Sequence, residues 1–130
     1  MLSQEARIKE LDLRFLEERL TDLKEWREED AQETVRRYKN FLILLTRHPE
    51  KVLAPAADID EAWHEHILHT VEYSRACLNI FGEYLHHTPA RKSRPEEKAL
   101  MEEALGLTSI LYQKEFRGAY ILELDISSFW

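Results

Sequence analysis

Flexible and cross-linking residues are scarce in this chain: 130 residues hold three glycines, four prolines and a single cysteine. So little glycine and proline excludes collagen-like and low-complexity classes, and no internal repeat is visible. There is no glycine-rich phosphate loop and no Gly-x-Ser-x-Gly elbow, so nucleotide-binding and serine-hydrolase readings have no motif to rest on. One cysteine cannot close an internal disulfide, which fits a reducing compartment. No apolar run approaches the ~20 residues of a membrane span. The opening Met1-Leu2-Ser3-Gln4-Glu5-Ala6-Arg7 lacks the basic-then-apolar order of a signal peptide. The expectation is a cytoplasmic protein with no membrane attachment. A basic excess is also missing: 18 Lys and Arg face 25 Asp and Glu, a net charge of -7, the wrong sign for a duplex nucleic-acid partner. The short run Arg91-Lys92-Ser93-Arg94 does not reverse it.

What is present is helix-forming. With 44% hydrophobic and 33% charged residues, the composition predicts one all-α domain across 1–130, long enough to bury a core without disulfide or metal staples. Periodicity predicts a bundle of about four helices. The first covers about residues 4–25, with Ile8, Leu11, Phe15, Leu16, Leu20 and Leu23 on one stripe. A second follows the acidic knot Glu25-Trp26-Arg27-Glu28-Glu29-Asp30 and runs to Arg47, where His48-Pro49 ends it. Asp58, as cap, with Glu61 as its capping-box partner, opens a third that continues to about Phe81 and stops at Gly82 or after Leu85. A loop over 86–94 contains Pro89. Ser93, Pro95 and Glu96 open a fourth, through Leu100, Ala104, Leu107 and Leu111 to Phe116. The apolar tail from Ala119 to Trp130 is expected to dock on the bundle or on a second copy, with a short strand as the alternative conformation, so the oligomeric state is left open.

Five of the six histidines lie between His64 and His87, together with the lone Cys77. Imidazole, carboxylate and thiol are the groups that bind transition metals or move protons near neutral pH, so any chemistry belongs here. In one continuous helix, His64 and His66 point about 160° apart and serve different sites. Asp60 and His64 form an i,i+4 pair, and the following loop can bring back His86 or His87. Three such ligands with one open position are the pattern of a zinc or iron site. The plainer alternative is a hydrogen-bonded Asp60–His64 pair fixing the helix start, with His87 capping a turn. On the other stripe lie His66, Tyr73 and Cys77. His66 and Cys77 are about 16 Å apart along a straight helix, too far for a nucleophile pair, which leaves Cys77 as a packing residue. His69 reads as a surface partner of Glu65, and His48 as a terminal residue. The zinc-protease pattern His-Glu-x-x-His starts at His64-Glu65 and fails at Leu68.

The spaced residues Asp58-x-Asp60-x-x-Trp63-His64-x-His66-Ile-Leu-x-Thr70-x-x-Tyr73-x-x-x-Cys77, then Phe81-Gly82-x-Tyr84-Leu85-His86-His87-x-Pro89, resemble the glycine-rich domain-containing protein-like family, formerly a domain of unknown function. Tyr38-Lys-Asn-Phe41-Leu42, Ala54-Pro55 and Thr108-Ser-x-Leu-Tyr112-x-x-x-Phe116 extend the resemblance over about residues 10–117. It implies a stand-alone, bacterial-type unit, whereas plant members carry the domain within longer proteins having glycine-rich segments. It implies no reaction. Bacterial-type relatives often have Phe at the position of His66, which favours His64 as the functional histidine, and glycine often comes first where this chain reads Arg117-Gly118.

Two readings follow. One is a non-catalytic module for a protein or peptide partner, in which Trp63, His64, Tyr73 and His87 form a polar lock. The other is a metal-binding protein or metal-dependent enzyme, with Asp60, His64 and His86 or His87 as ligands and Asp58, Trp63, His66, Tyr73 and Cys77 behind them.

Overall fold

A computed structural model describes residues 2–87 and 93–121. The described residues form six helices and no strand: α1 (Gln4–Lys9), α2 (Arg14–Lys24), α3 (Glu28–Arg47), α4 (Ala57–Leu68), α5 (Thr70–Phe81) and α6 (Pro95–Phe116). The all-α expectation holds, and the ends of the second and fourth expected helices agree with the structure. Pro89, Arg91, Lys92 and the tail 122–130 lie outside the described residues.

α3 is the hub, packing against α1, α2, α4 and α6. Its first turn carries Glu28, Glu29 and Asp30, negative charge where the helix dipole is positive. Ala31, Val35, Tyr38, Phe41 and Leu42 recur at three- and four-residue steps and are all buried, which places the core along this helix. The expected central role of the histidine-rich segment is therefore corrected: that segment packs on one side of α3.

The helix count is corrected from four to six by two breaks, each held by side chains. After Lys9 the chain leaves the helix. Asp12 accepts from the main-chain N–H of Arg14 at 3.2 Å and also pairs with its guanidinium, while Lys39 of α3 donates to the carbonyls of Lys9 and Leu11. A local Asp turn thus competes with the helix, and a tertiary cation satisfies the carbonyls that the break releases. The second break is at His69, where φ -86° and ψ 72° leave the helical region. His69 N–H bonds to the carbonyl of His66 at 3.0 Å, and Nδ1 lies 2.8 Å from the carbonyl of Glu65. The residue therefore ends α4 with its own ring, and is not the partner of the Glu65 carboxylate that the spacing implied. That carboxylate is buried and meets Arg19 at 3.3 Å.

The capping assignment of Asp58 is also corrected. Ala56 precedes α4, and Asp58 stands inside its first turn, buried and ion-paired with the buried Arg37 of α3. Thr34 donates to the same carboxylate oxygen at 2.9 Å. Glu61 pairs with Lys24 of α2 at 3.3 Å. Sequence spacing reported the right residues and the wrong partners, because a helix-start acid is attracted both to its own N–H groups and to any cation facing it. Just ahead of α4, the Tyr120 hydroxyl accepts from Ala56 N–H at 3.0 Å and donates to the Ala54 carbonyl at 2.8 Å, so the start of the tail does dock on the bundle.

α6 ends with Arg117 at φ 55°, a left-handed conformation that glycine adopts freely and a side chain resists at about 1 kcal/mol. Arg117→Gly is therefore expected to raise stability by about 0.5–1 kcal/mol in urea unfolding, with an unchanged slope.

Candidate functional site

The break at His69 turns α5 back so that residues seven apart in sequence face each other. A straight helix would separate His66 from Tyr73 by about 10 Å along its axis. Here their ring centroids are 4.9 Å apart in an edge arrangement. The Tyr73 hydroxyl accepts from the Trp63 indole N–H at 2.9 Å and donates to the Leu85 carbonyl. One phenol thus ties α4, α5 and the segment beyond Gly82. That segment starts at Gly82, whose φ of 75° reverses the chain as the cap of α5.

Trp63 is the other half of the lock. Its ring stacks on His87 at 4.2 Å and 17°, and it meets Phe41 of α3 at 5.4 Å. His87 Nε2 lies 2.6 Å from Asp60 Oδ1, with the imidazole 13% exposed and the carboxylate 47% exposed. The structure therefore brings Asp60 to His87. His64 is exposed and takes no part in that pair, and exposed His86 lies against Tyr84 at 4.8 Å. The ligand set Asp60, His64 and His86 or His87 is thus gathered only as the pair Asp60–His87, and no group of three His, Cys, Asp or Glu able to hold a metal ion is found among the described residues.

His66, Tyr73 and Cys77 form an inner layer. Tyr38 Oη lies 2.7 Å from His66 Nδ1. The Tyr38 hydroxyl is fully buried and burial pushes it well above its ordinary 10, so it stays protonated beside Nδ1. The other ring nitrogen, Nε2, is buried and has no partner among the described residues. Burial, aided by nearby His69 and opposed by Glu72, depresses His66 from 6.5 to about 4. Burial likewise raises the Tyr73 hydroxyl. Cys77 is a free, buried thiol packed in the core. A proton-shuttling role would need a histidine poised near neutral pH, and His66 is tuned away from it.

Sequence reasoning reached the Asp60–His87 pairing only in part, within a larger set that included His64, and it missed the contact of His66 with Tyr73. The pairing depends on where a loop returns, and the contact depends on a helix break without Gly or Pro. The His-His-x-Pro signature was the only available hint of the first.

The chain matches over residues 4–106 the model of the family described as UCP032817-like. The chain belongs to this family. It is also 32% identical over 93 residues to glycine-rich domain-containing protein 1 of Arabidopsis thaliana, a stretch that covers 68% of this chain and 11% of that protein. The resemblance carried by Trp63-His64 through His86-His87 is thereby shown, and the chain spans only about a tenth of the curated relative's length. No solved structure matches the chain.

The depressed histidine has a measurable consequence. The unfolded chain protonates His66 near 6.5 and the folded chain near 4, so its stabilising contribution is complete above pH 6.5 and is lost as pH falls toward 4. The gap of about 2.5 corresponds to about 3 kcal/mol at ~1.36 per unit of pH. His66→Phe is expected to flatten the wild-type loss of stability across that window. Parallel stability curves for the two proteins between pH 7 and 4 would remove His66 as its source.

Proposed function

We propose that this chain is a non-catalytic protein-interaction module, and that its Trp-His constellation is a structural lock that holds α4, α5 and the following segment in one orientation. The observation that carries this reading is the commitment of the polar groups inside the chain. The Trp63 indole, the Tyr73 hydroxyl, the Asp60 carboxylate and His87 Nε2 each have an intramolecular partner. Each of these bonds holds one segment of the chain against another, as a lock requires.

Two further features support the module. The outer surface of α5 presents Val71 and Leu78, 55% and 64% exposed and two turns apart, with Leu68 of α4, 56% exposed, beside them in sequence. Apolar side chains spaced along one exposed helix face mark a contact surface more often than a reaction centre. The Arabidopsis relative carries its matching stretch within a far longer chain, which suits a unit that works by attachment. The partner is a protein or a peptide: the chain is acidic, and no described helix is long and apolar enough to cross a membrane.

The test is site-directed photo-cross-linking in the native cell, with benzoylphenylalanine replacing Leu78, alongside elemental analysis of untagged protein incubated with zinc, iron and copper. The expected result is a discrete cross-linked protein whose yield falls several-fold when His87→Ala releases the lock, with helix content unchanged and bound metal far below one ion per chain. One ion per chain, lost with His87→Ala or His64→Ala, overturns the module in favour of a metal centre. Absence of any discrete product from Leu78 and Val71 also overturns it.

A further inference from the structure

The segment that leaves α6 shows a period that its continuation in the sequence keeps. Arg117 turns the chain back with φ 55°, and burial then alternates: Arg117, Ala119 and Ile121 are exposed, Gly118 is half-buried and Tyr120 is buried. The next six residues, Leu122-Glu123-Leu124-Asp125-Ile126-Ser127, alternate apolar and polar without a fault. That is the pattern of an extended chain with one buried side, because successive side chains of such a chain point to opposite sides. Leu122, Leu124 and Ile126 are in phase with the buried Tyr120, whereas Glu123 and Asp125 are in phase with the exposed Ile121.

The chain is heading back along α6. The Tyr112 ring lies 5.0 Å from that of Phe116 and 5.0 Å from that of Tyr120, so by Tyr120 the chain has returned one turn from the helix end. The Tyr120 hydroxyl donates to the Ala54 carbonyl, and Ala54 N–H donates to the hydroxyl of Thr108, one turn further back. Tyr112, Thr108, Ala104 and Leu100 make one row on the helix at four-residue steps. Along that row exposure runs 1%, 0%, 5% and then 64%. Cover therefore stops between Ala104 and Leu100. No residue from 95 to 103 is buried, although Leu100 and the half-buried Met101 are apolar. The length of chain that follows Tyr120 matches this gap: Tyr112 to Leu100 is about 18 Å at ~1.5 Å per residue, which an extended chain of ~3.3 Å per residue covers in about five or six residues. Counted from Tyr120, Leu122 falls level with Thr108, Leu124 with Ala104, and Ile126 with Leu100 and Met101.

We propose that the bare row at the start of α6 is a docking surface for residues 122–126 of the same chain, which run back along the helix as an extended strap with Leu124 and Ile126 on Ala104, Met101 and Leu100. Phase, direction and length each select the chain's own continuation as the occupant ahead of a second copy. Glu123 and Asp125 then face water, and charges on the outer side of an extended segment oppose its pairing with another chain. The strap stands apart from the interaction-module reading, which concerns Leu68, Val71 and Leu78.

The test is methyl NMR of the full chain, in samples that mix labelled and unlabelled copies so that contacts within a chain are separated from contacts between chains. Within one chain, Leu124 is expected to show nuclear Overhauser contacts to Ala104, and Ile126 to Leu100 or Met101. Leu100→Asp changes a side chain that is 64% exposed, and is expected to keep the helix content, remove the Ile126 contacts and speed amide exchange of residues 122–126 at least tenfold. Leu124→Asp is expected to remove both sets of contacts and to speed exchange of residues 100–104, with the middle of α3 unaffected. Contacts of Leu124 and Ile126 with this row that appear only between chains assign the row to a second copy and overturn the strap. Absence of any contact from these residues to α6, or exchange of residues 122–126 that neither variant changes, also overturns it.

Discussion

A single phenol oxygen organises the part of this molecule that carries the family signature. The Tyr73 hydroxyl accepts a hydrogen bond from the Trp63 indole N–H and donates one to the Leu85 carbonyl, and in doing so it ties α4, α5 and the segment that returns from Gly82. Both bonds lie in surroundings that burial makes poor in water, where an unpaired donor or acceptor costs about 1–3 kcal/mol. The hydroxyl cannot ionise under ordinary conditions, because the same burial raises its pKa. The stack of Trp63 on His87 and the Asp60–His87 contact then follow from where that segment has been placed. Remove the bridge and, among the described residues, no other hydrogen bond from α5 holds the Leu85 carbonyl or the indole N–H.

Beneath this lock, the ion pair of Arg37 and Asp58 seats α4 on α3. Both side chains are almost wholly buried, and Thr34 adds a neutral hydrogen bond to the carboxylate. The desolvation of two charges offsets most of their attraction, so the pair contributes little net stability over an apolar replacement. Its effect is on specificity. A helix that slid along α3 would leave both charges buried and unpaired, which costs several kcal/mol, and only one register avoids that. The Arg37 guanidinium also faces the ring of Tyr120 at 5.9 Å, and Tyr120 bonds to Ala54 and Ala56 ahead of α4. The start of α4 is thus fixed twice, by Arg37 within its first turn and by Tyr120 just ahead of it.

The legible part of the fold was whatever helical periodicity and end signals encode. The stripe from Ala31 to Leu45, the stop at His48-Pro49, the αL cap at Gly82 and the start at Pro95 are all local, and all could be read from spacing. The breaks at Leu11–Leu13 and at His69 were not legible. Neither contains Gly or Pro, and both are held by partners distant in sequence or by a side chain bonding to its own backbone: Lys39 for one, the His69 ring for the other. The second omission propagated into the site. With α4 and α5 taken as one straight helix, Asp60 was joined to His64 as well as to His86 or His87, and His66 and Tyr73 shared a stripe without touching. The structure leaves Asp60 with His87 alone and brings His66 against Tyr73. The sequence thus named the residues of the signature region while leaving their pairing to tertiary geometry. The assignment of Asp58 to a cap failed for the same reason, since its partner Arg37 lies 21 positions away.

The central claim, that the signature is a lock organised by Tyr73, is tested most directly by hydrogen exchange of the Trp63 indole proton in the wild type and in Tyr73→Phe. The wild-type indole proton is expected to exchange only through opening of the bundle. In the variant it is expected to exchange at least tenfold faster, together with the amides of residues 83–87, while amides in the middle of α3 remain protected. An indole proton and a return segment equally protected in both proteins would contradict the account.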